Sequence, residues 1–153
     1  MSAELPKVEP VIHSRTRLWK YRHYAGPVRS KFLVELRDNK RIMGTKCPVC
    51  NRVYLPARPT CFVCISQLDE WVEVSDKGTL ITYTVVYQPE PAHPVDVPFV
   101  YGIIKLDGAD TGIAHMVSEV DPKDLRIGMR LQAVFNEERQ GSILDIRYFK
   151  PLS

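Results

Sequence analysis

The sequence predicts a mainly β chain in three parts: a basic helical arm over residues 1–43, a ribbon over 44–70 and a five-stranded barrel over 71–153. Three observations predict it. All four cysteines fall within 18 residues, as Cys47-x-x-Cys50 and Cys61-x-x-Cys64. Five runs of β-branched and aromatic residues, parted by turn residues, fill the second half. Residues before 44 lack that rhythm. With 153 residues, 44% of them hydrophobic, the chain fits an ordinary folded protein, and disordered or collagen-like classes drop out.

In the arm, Ser14–Tyr24 (SRTRLWKYRHY) reads as a basic helix contacting its surroundings through Leu18, Trp19 and Tyr21, and Gly26-Pro27 breaks it. Ser30 then reads as the cap of a second helix over Lys31–Asn39, with Phe32, Leu33 and Leu36 on one face. Such an arm is too short to hold a core and is expected to dock on the barrel, a sister subunit or a ligand.

The cysteine spacing points to a metal. Thiolates at i and i+3 face one ion from a tight turn, a knuckle of the rubredoxin kind, and two knuckles complete the tetrahedron zinc prefers, with Zn–S bonds of ~2.3 Å. Val53-Tyr54-Leu55 reads as a hairpin strand between them. Disulfides require an oxidising compartment, and Met1–Pro10 has no apolar core to serve as a secretory signal. Paired motifs ten residues apart do not suit thioredoxin-type redox chemistry. Cys47-Pro48-Val49-Cys50 matches a rubredoxin start, but in rubredoxin the second pair lies much further along; zinc is the expected ion and iron the alternative. A four-thiolate site has no open position, so the ion is structural, and no cysteine is left as a nucleophile.

In the barrel half, Trp71–Val74 leads to a turn at Asp76-Lys77-Gly78. The five strands are Thr79–Gln88, Phe99–Asp107, Ile113–Val120, Arg130–Glu137 and Ser142–Lys150, and Asp121 and Pro122 open a one-turn helix between the third and fourth. This is the layout of an OB-fold. Gly102 and Gly128 are expected at bends or bulges. The loop Pro89–Pro98, with four prolines in ten residues, is expected to be extended and stiff.

Charge divides at the same place. Residues 1–70 carry a net +7 and residues 71–153 a net −4. Bound zinc with four thiolates adds −2, which brings the first part to about +5. No run approaches the ~20 apolar residues of a membrane span, so a cytoplasmic protein is expected.

These segments resemble a known family. Gly44-x-x-Cys47-x-x-Cys50-x-x-Val53-Tyr54-x-Pro56-x-Arg58-x-x-Cys61-x-x-Cys64, then Ser75-x-x-Gly78-Thr79 and a barrel, is similar to the acyl-CoA-associated zinc-ribbon/OB-fold proteins, long known as domain of unknown function thirty-five. Ser30–Asp38 resembles the helix many members place before the ribbon. Asn51 stands where glycine is common, which its tolerance of left-handed backbone allows, and Ala57 where a second proline is common. The resemblance implies a non-catalytic accessory subunit that binds a thiolase-like enzyme, a hydroxymethylglutaryl-CoA synthase, or a related hydratase or aldolase. It also implies a part in shaping a CoA or acyl-chain pocket, with a bulky acyl-CoA, such as an aromatic one, among the substrates.

Two other classes compete. An OB-fold can bind single-stranded nucleic acid if Tyr83, Tyr87, Phe99 and Tyr101 form one stacking face, though the acidic barrel half has the wrong sign for phosphates. An independent enzyme would draw on His13, His23, His93 or His115, which are scattered, and no phosphate-cradling glycine motif is present.

Overall fold

The computed structural model describes residues 24–91, 93 and 95–152. The expected helix over Ser14–Tyr24 lies, but for its last residue, outside them. The first described helix, α1, is Pro27–Asn39. It begins three residues before Ser30, because Pro27 occupies the first turn, where its missing N–H has no partner to lose and its φ suits the helix. Ser30 is therefore inside the helix, its N–H bonded to Gly26 O (3.0 Å), and is not the cap. Phe32 and Leu36, one turn apart, are buried, with Leu33 packed beside them. At the other end, Arg139 Nε donates to Arg37 O (2.6 Å), which satisfies a carbonyl of the last turn.

Strands β1 (Ile42–Lys46), β2 (Val53–Tyr54) and β3 (Glu70–Val74) form an antiparallel sheet in the order β2-β1-β3. Leu55 lies beyond the end of β2, but it is buried. β3 contains Trp71–Val74 and pairs with β1 along its whole length, from Ile42↔Val74 to Lys46↔Glu70.

The barrel strands are β4 (Lys77–Val86), β5 (Phe99–Leu106), β6 (Ile113–Val117), β7 (Arg130–Phe135) and β8 (Ile146–Pro151). They close in the order β4-β5-β6-β8-β7, antiparallel except for β6 against β8. Leu80, Ile104, Ile113, Leu131, Ile146 and Phe149 fill the interior, and the alternation of buried and exposed residues along β5 shows why these residues form a barrel wall. A bulge in β4 between Leu80 and Thr82 faces the part of β5 that holds Gly102, where a Cβ would lie 2.8 Å from Leu80 Cδ1. Gly128 sits in a turn with φ +90°.

Two local expectations change. Asp121–Leu125 makes a single turn, with Asp124 N–H on Asp121 O and Lys123 N–H on Asp121 Oδ1, and no helix follows. The short helix lies instead at Ile143–Asp145, in a segment that reads as strand. The cause is Asp145: its buried carboxylate collects the N–H groups of Gln140, Gly141 and Ser142, while Ser142 Oγ accepts Leu144 N–H.

The four aromatics do not share a face. Tyr83 is opposite Gly102, and its hydroxyl donates to Leu125 O, whereas Tyr101 is on the other side of β5, opposite Thr84. His115 is buried; Nδ1 accepts Met116 N–H (2.9 Å), so Nε2 carries the proton and donates to Ile143 O (3.2 Å). Burial holds its pKa below the ordinary histidine value despite these bonds, and both nitrogens are used.

Helix, ribbon sheet and barrel share one core, in which Phe32, Leu36, Ile42, Leu55 and Val74 join the barrel interior. The free edge of β2 is covered by the loop after β5. Val53 N–H donates to Asp110 Oδ2 (2.9 Å) and Asp110 N–H to Val53 O (2.8 Å). Thr111 Oγ1 accepts Leu55 N–H (2.7 Å) and donates to Leu55 O (2.8 Å). A two-residue edge strand is thereby tied to the barrel.

Candidate metal centre

The two knuckles are built by the same bonds. Asn51 N–H reaches Cys47 O and Cys47 N–H reaches Arg52 O; Ile65 N–H reaches Cys61 O and Cys61 N–H reaches Ser66 O, all at 2.8–3.0 Å. Each knuckle turns through left-handed backbone just after its second cysteine, at Asn51 (φ 58°) and Ile65 (φ 56°). In each, the N–H of the second cysteine points at the sulfur of the first, Cys50 at 3.4 Å and Cys64 at 3.3 Å. The tolerance of Asn51 for this conformation is what the motif requires. Ile65 is less suited, since a β-branched side chain is strained there.

The four sulfurs lie within 4.8 Å of one another, with Cys47 and Cys61 buried and Cys50 and Cys64 partly so. Two hydroxyls also touch them: Tyr54 Oη at 3.1 Å from Cys61 Sγ and Ser66 Oγ at 3.2 Å from Cys47 Sγ. Burial opposes ionisation of Cys47, but the Cys50 N–H, the Ser66 hydroxyl and the Val49 N–H outweigh it and bring the thiol down to about 6. Cys61 is lowered against burial by the Tyr54 hydroxyl and the N–H groups of Cys64 and Val63. Cys64 is pushed up to about 12, first by its hydrogen bond with Cys50 and then by burial. Tyr54 rises to about 12 because it donates to Cys61 and is buried. Four cysteine sulfurs gathered within 4.8 Å make a set that a divalent cation completes, and an all-sulfur site suits zinc.

The spacing finds the four cysteines but not Tyr54 and Ser66 as their partners. The signal for Ser66 is its place, two residues after Cys64, matching Arg52 after Cys50. Tyr54→Phe is expected to leave the fold intact and to weaken metal retention about 10-fold or more, as losses around a ligand do. Competition with a chelator measures it; unchanged retention would show that the hydroxyl only packs.

A four-thiol ribbon joined to a closed five-stranded barrel defines a metal-ribbon and OB-fold protein. Residues 35–70 match the family described as "ChsH2, rubredoxin-like zinc ribbon domain", and residues 71–136 match "ChsH2, C-terminal OB-fold domain". A DUF35 domain-containing scaffold protein of Methanocaldococcus jannaschii is 30% identical over 122 residues, 76% of this chain and 86% of that one. Its counterpart in Pyrococcus furiosus is 28% identical over 127 residues, 80% of this chain and 92% of that one. The chain belongs to the DUF35 family. The fold is also that of a solved chain described as "Ltp2-ChsH2(DUF35) aldolase", with TM-score 0.64 and 22% identity over 84% of this chain and 98% of that one. A DUF35 protein of unknown function from Sulfolobus solfataricus matches with TM-score 0.59 and 24% identity, over 71% of this chain and 78% of that one. Among the described residues, no helix is long and apolar enough to cross a membrane.

Proposed function

We propose that this chain is a non-catalytic, cytoplasmic scaffold subunit of a thiolase-superfamily acyl-CoA enzyme complex. It steadies the enzyme subunit and helps shape a pocket for a bulky acyl-CoA, such as an aromatic one. Cys47, Cys50, Cys61 and Cys64 hold one zinc ion that keeps the ribbon in shape. The observation that carries the reading is the gathering of every thiol of the chain into one closed cluster. A thiolase reaction needs a cysteine nucleophile, and here it comes from the partner. The relatives named as scaffold proteins, and the aldolase complex named for the solved chain of like fold, support an enzyme partner. A cavity of about 590 Å³ where α1, the ribbon and the Ile143–Asp145 turn meet suits a CoA thioester. Phe32, Leu33, Ala57 and Ile143 give it an apolar floor, and Arg29 gives it a cation.

The test is purification of the native protein with whatever binds it, followed by mass spectrometry and acyl-CoA turnover assays. A thiolase-superfamily polypeptide in fixed ratio is expected, with turnover only in its presence. Turnover by the isolated chain, absence of such a polypeptide, or tight, steeply salt-dependent binding of single-stranded RNA or DNA would each overturn the reading.

A further inference from the structure

The two knuckles present apolar side chains to solvent. Val49 is 66% exposed, Phe62 57%, Val63 51% and Ile65 74%. Single exposed apolar residues are ordinary on a protein surface. These four are not scattered: each adjoins a cysteine of the cluster, and the cysteine sulfurs converge within 4.8 Å. The exposed apolar side chains therefore stand at the tips of both knuckles that hold the thiol cluster, while Tyr54, Leu55 and Leu68 of the same ribbon are buried.

Ile65 makes the strongest case. It holds a left-handed backbone, the place taken by Asn51 in the first knuckle, with a β-branched side chain that gains almost no burial. The isolated chain bears that strain without a packing return.

Residues 39–68 contain Lys40, Arg41, Lys46, Arg52 and Arg58 and no aspartate or glutamate. Arg41 and Lys46 pair with Glu73 and Glu70 on β3. Arg52 and Arg58 have no carboxylate within 4.0 Å among the described residues. Arg58 is fixed beside Phe62: Thr45 Oγ1 bonds both its N–H and its carbonyl, and its guanidinium lies 5.7 Å from the Phe62 ring centre and 5.1 Å from that of Tyr54.

Resting on the scaffold reading above, we propose that the knuckle tips dock in an apolar hollow edged by carboxylates on the enzyme subunit. Val49, Val63 and Ile65 fill the hollow, and Arg52 and Arg58 meet its rim. A second copy of this chain would bring like charges together. Nucleic acid would find mainly aliphatic tips, which do not stack on bases.

The test uses the full chain and the enzyme subunit that purifies with it. Val49→Ser with Val63→Ser is expected to weaken that binding about tenfold or more, with metal content unchanged. Ile65→Asn is expected to weaken binding while raising the Tm of the free chain by about 3 °C, as relief of left-handed strain does. A purely structural role for Ile65 cannot move the two readouts in opposite directions. A photo-crosslinking residue at position 63 should label the same enzyme subunit in cells. Labelling of a second copy of this chain, or of RNA, overturns the inference. Unchanged binding by both variants also overturns it and leaves the scaffold reading standing, whereas failure of any enzyme subunit to bind the unaltered chain overturns both.

Discussion

Cys61→Ser, or removal of the metal by a strong chelator, is expected to unfold the knuckles while the barrel stays folded. The ribbon's own core consists of Tyr54, Leu68, Cys47 and Cys61, with Cys50 and Cys64 packed against it. Four of these six side chains are the clustered cysteines, so little apolar burial remains without an ion to hold them. Structural zinc in small ribbons contributes about 10–16 kcal/mol, which matches or exceeds the ~5–15 kcal/mol net stability of a typical domain. The barrel interior holds Leu80, Ile104, Leu131, Ile146 and Phe149, and the ribbon sheet stays joined to it through the shared core of Ile42, Leu55 and Val74 and through the bonds of Val53 and Leu55 to Asp110 and Thr111. Hydrogen exchange should therefore show protection lost at Asn51, Cys61 and Ile65 and kept at Leu80, Ile104 and Phe149. Release should also quicken with acid, since protons compete with the ion for the thiolates. Retained protection at Asn51 and Ile65 after the metal is gone would show that the ion is not structural. Loss of protection throughout the barrel would show that the edge contacts pass the damage on.

The parts of this molecule that were legible in sequence are those set by short-range chemistry. Cys-x-x-Cys twice predicts two knuckles because the turn that brings i and i+3 to one ion is local. The five barrel strands follow from β-branched runs and turn residues, and the observed ends differ from the expected ones by a few residues. Where side chains compete for the backbone, or where distant strands pair, composition alone misleads. Ser142–Asp145 has the composition of a strand start, yet Asp145 draws three N–H groups into a tight turn. Trp71–Val74 reads as strand, but nothing local names β1 as its partner. The start of α1 is a different case: Pro27 reads as a breaker, yet proline at a first helical turn costs nothing, so the same residue also fits the opening of a helix. The strain at Ile65 was equally open to view, because the residue after each second cysteine occupies the same place in its knuckle and Asn51 already marks it as left-handed.

Gly78→Ala is expected to be the most damaging small substitution in the barrel. Gly78 belongs to the Ser75-x-x-Gly78-Thr79 motif, and its place in β4 supplies the reason. There the strand is bonded on both sides, to Leu106 of β5 and to Leu131 of β7. A Cβ at this position would overlap the Lys105 carbonyl oxygen and lie 2.8 Å from Leu106 Cα. Both are backbone atoms of a central strand whose Leu106 side chain is buried, so neither a rotamer change nor a small shift relieves the clash. Overpacking of side chains costs about 1–3 kcal/mol, and a clash with backbone should reach or pass the upper end, about 3 kcal/mol, or about 9 °C in Tm for a chain of this size. Gly112→Ala is the control. Its Cβ would lie 2.6 Å from Ile103 Cγ2, but that atom ends an exposed side chain that can rotate away, and the next contact is at 3.4 Å. Urea unfolding of the metal-loaded protein should therefore show a loss for Gly78→Ala several times that for Gly112→Ala. Equal losses would mean that the β4–β5 spacing yields as readily as a surface side chain, and the account of Gly78 as a steric requirement would fail.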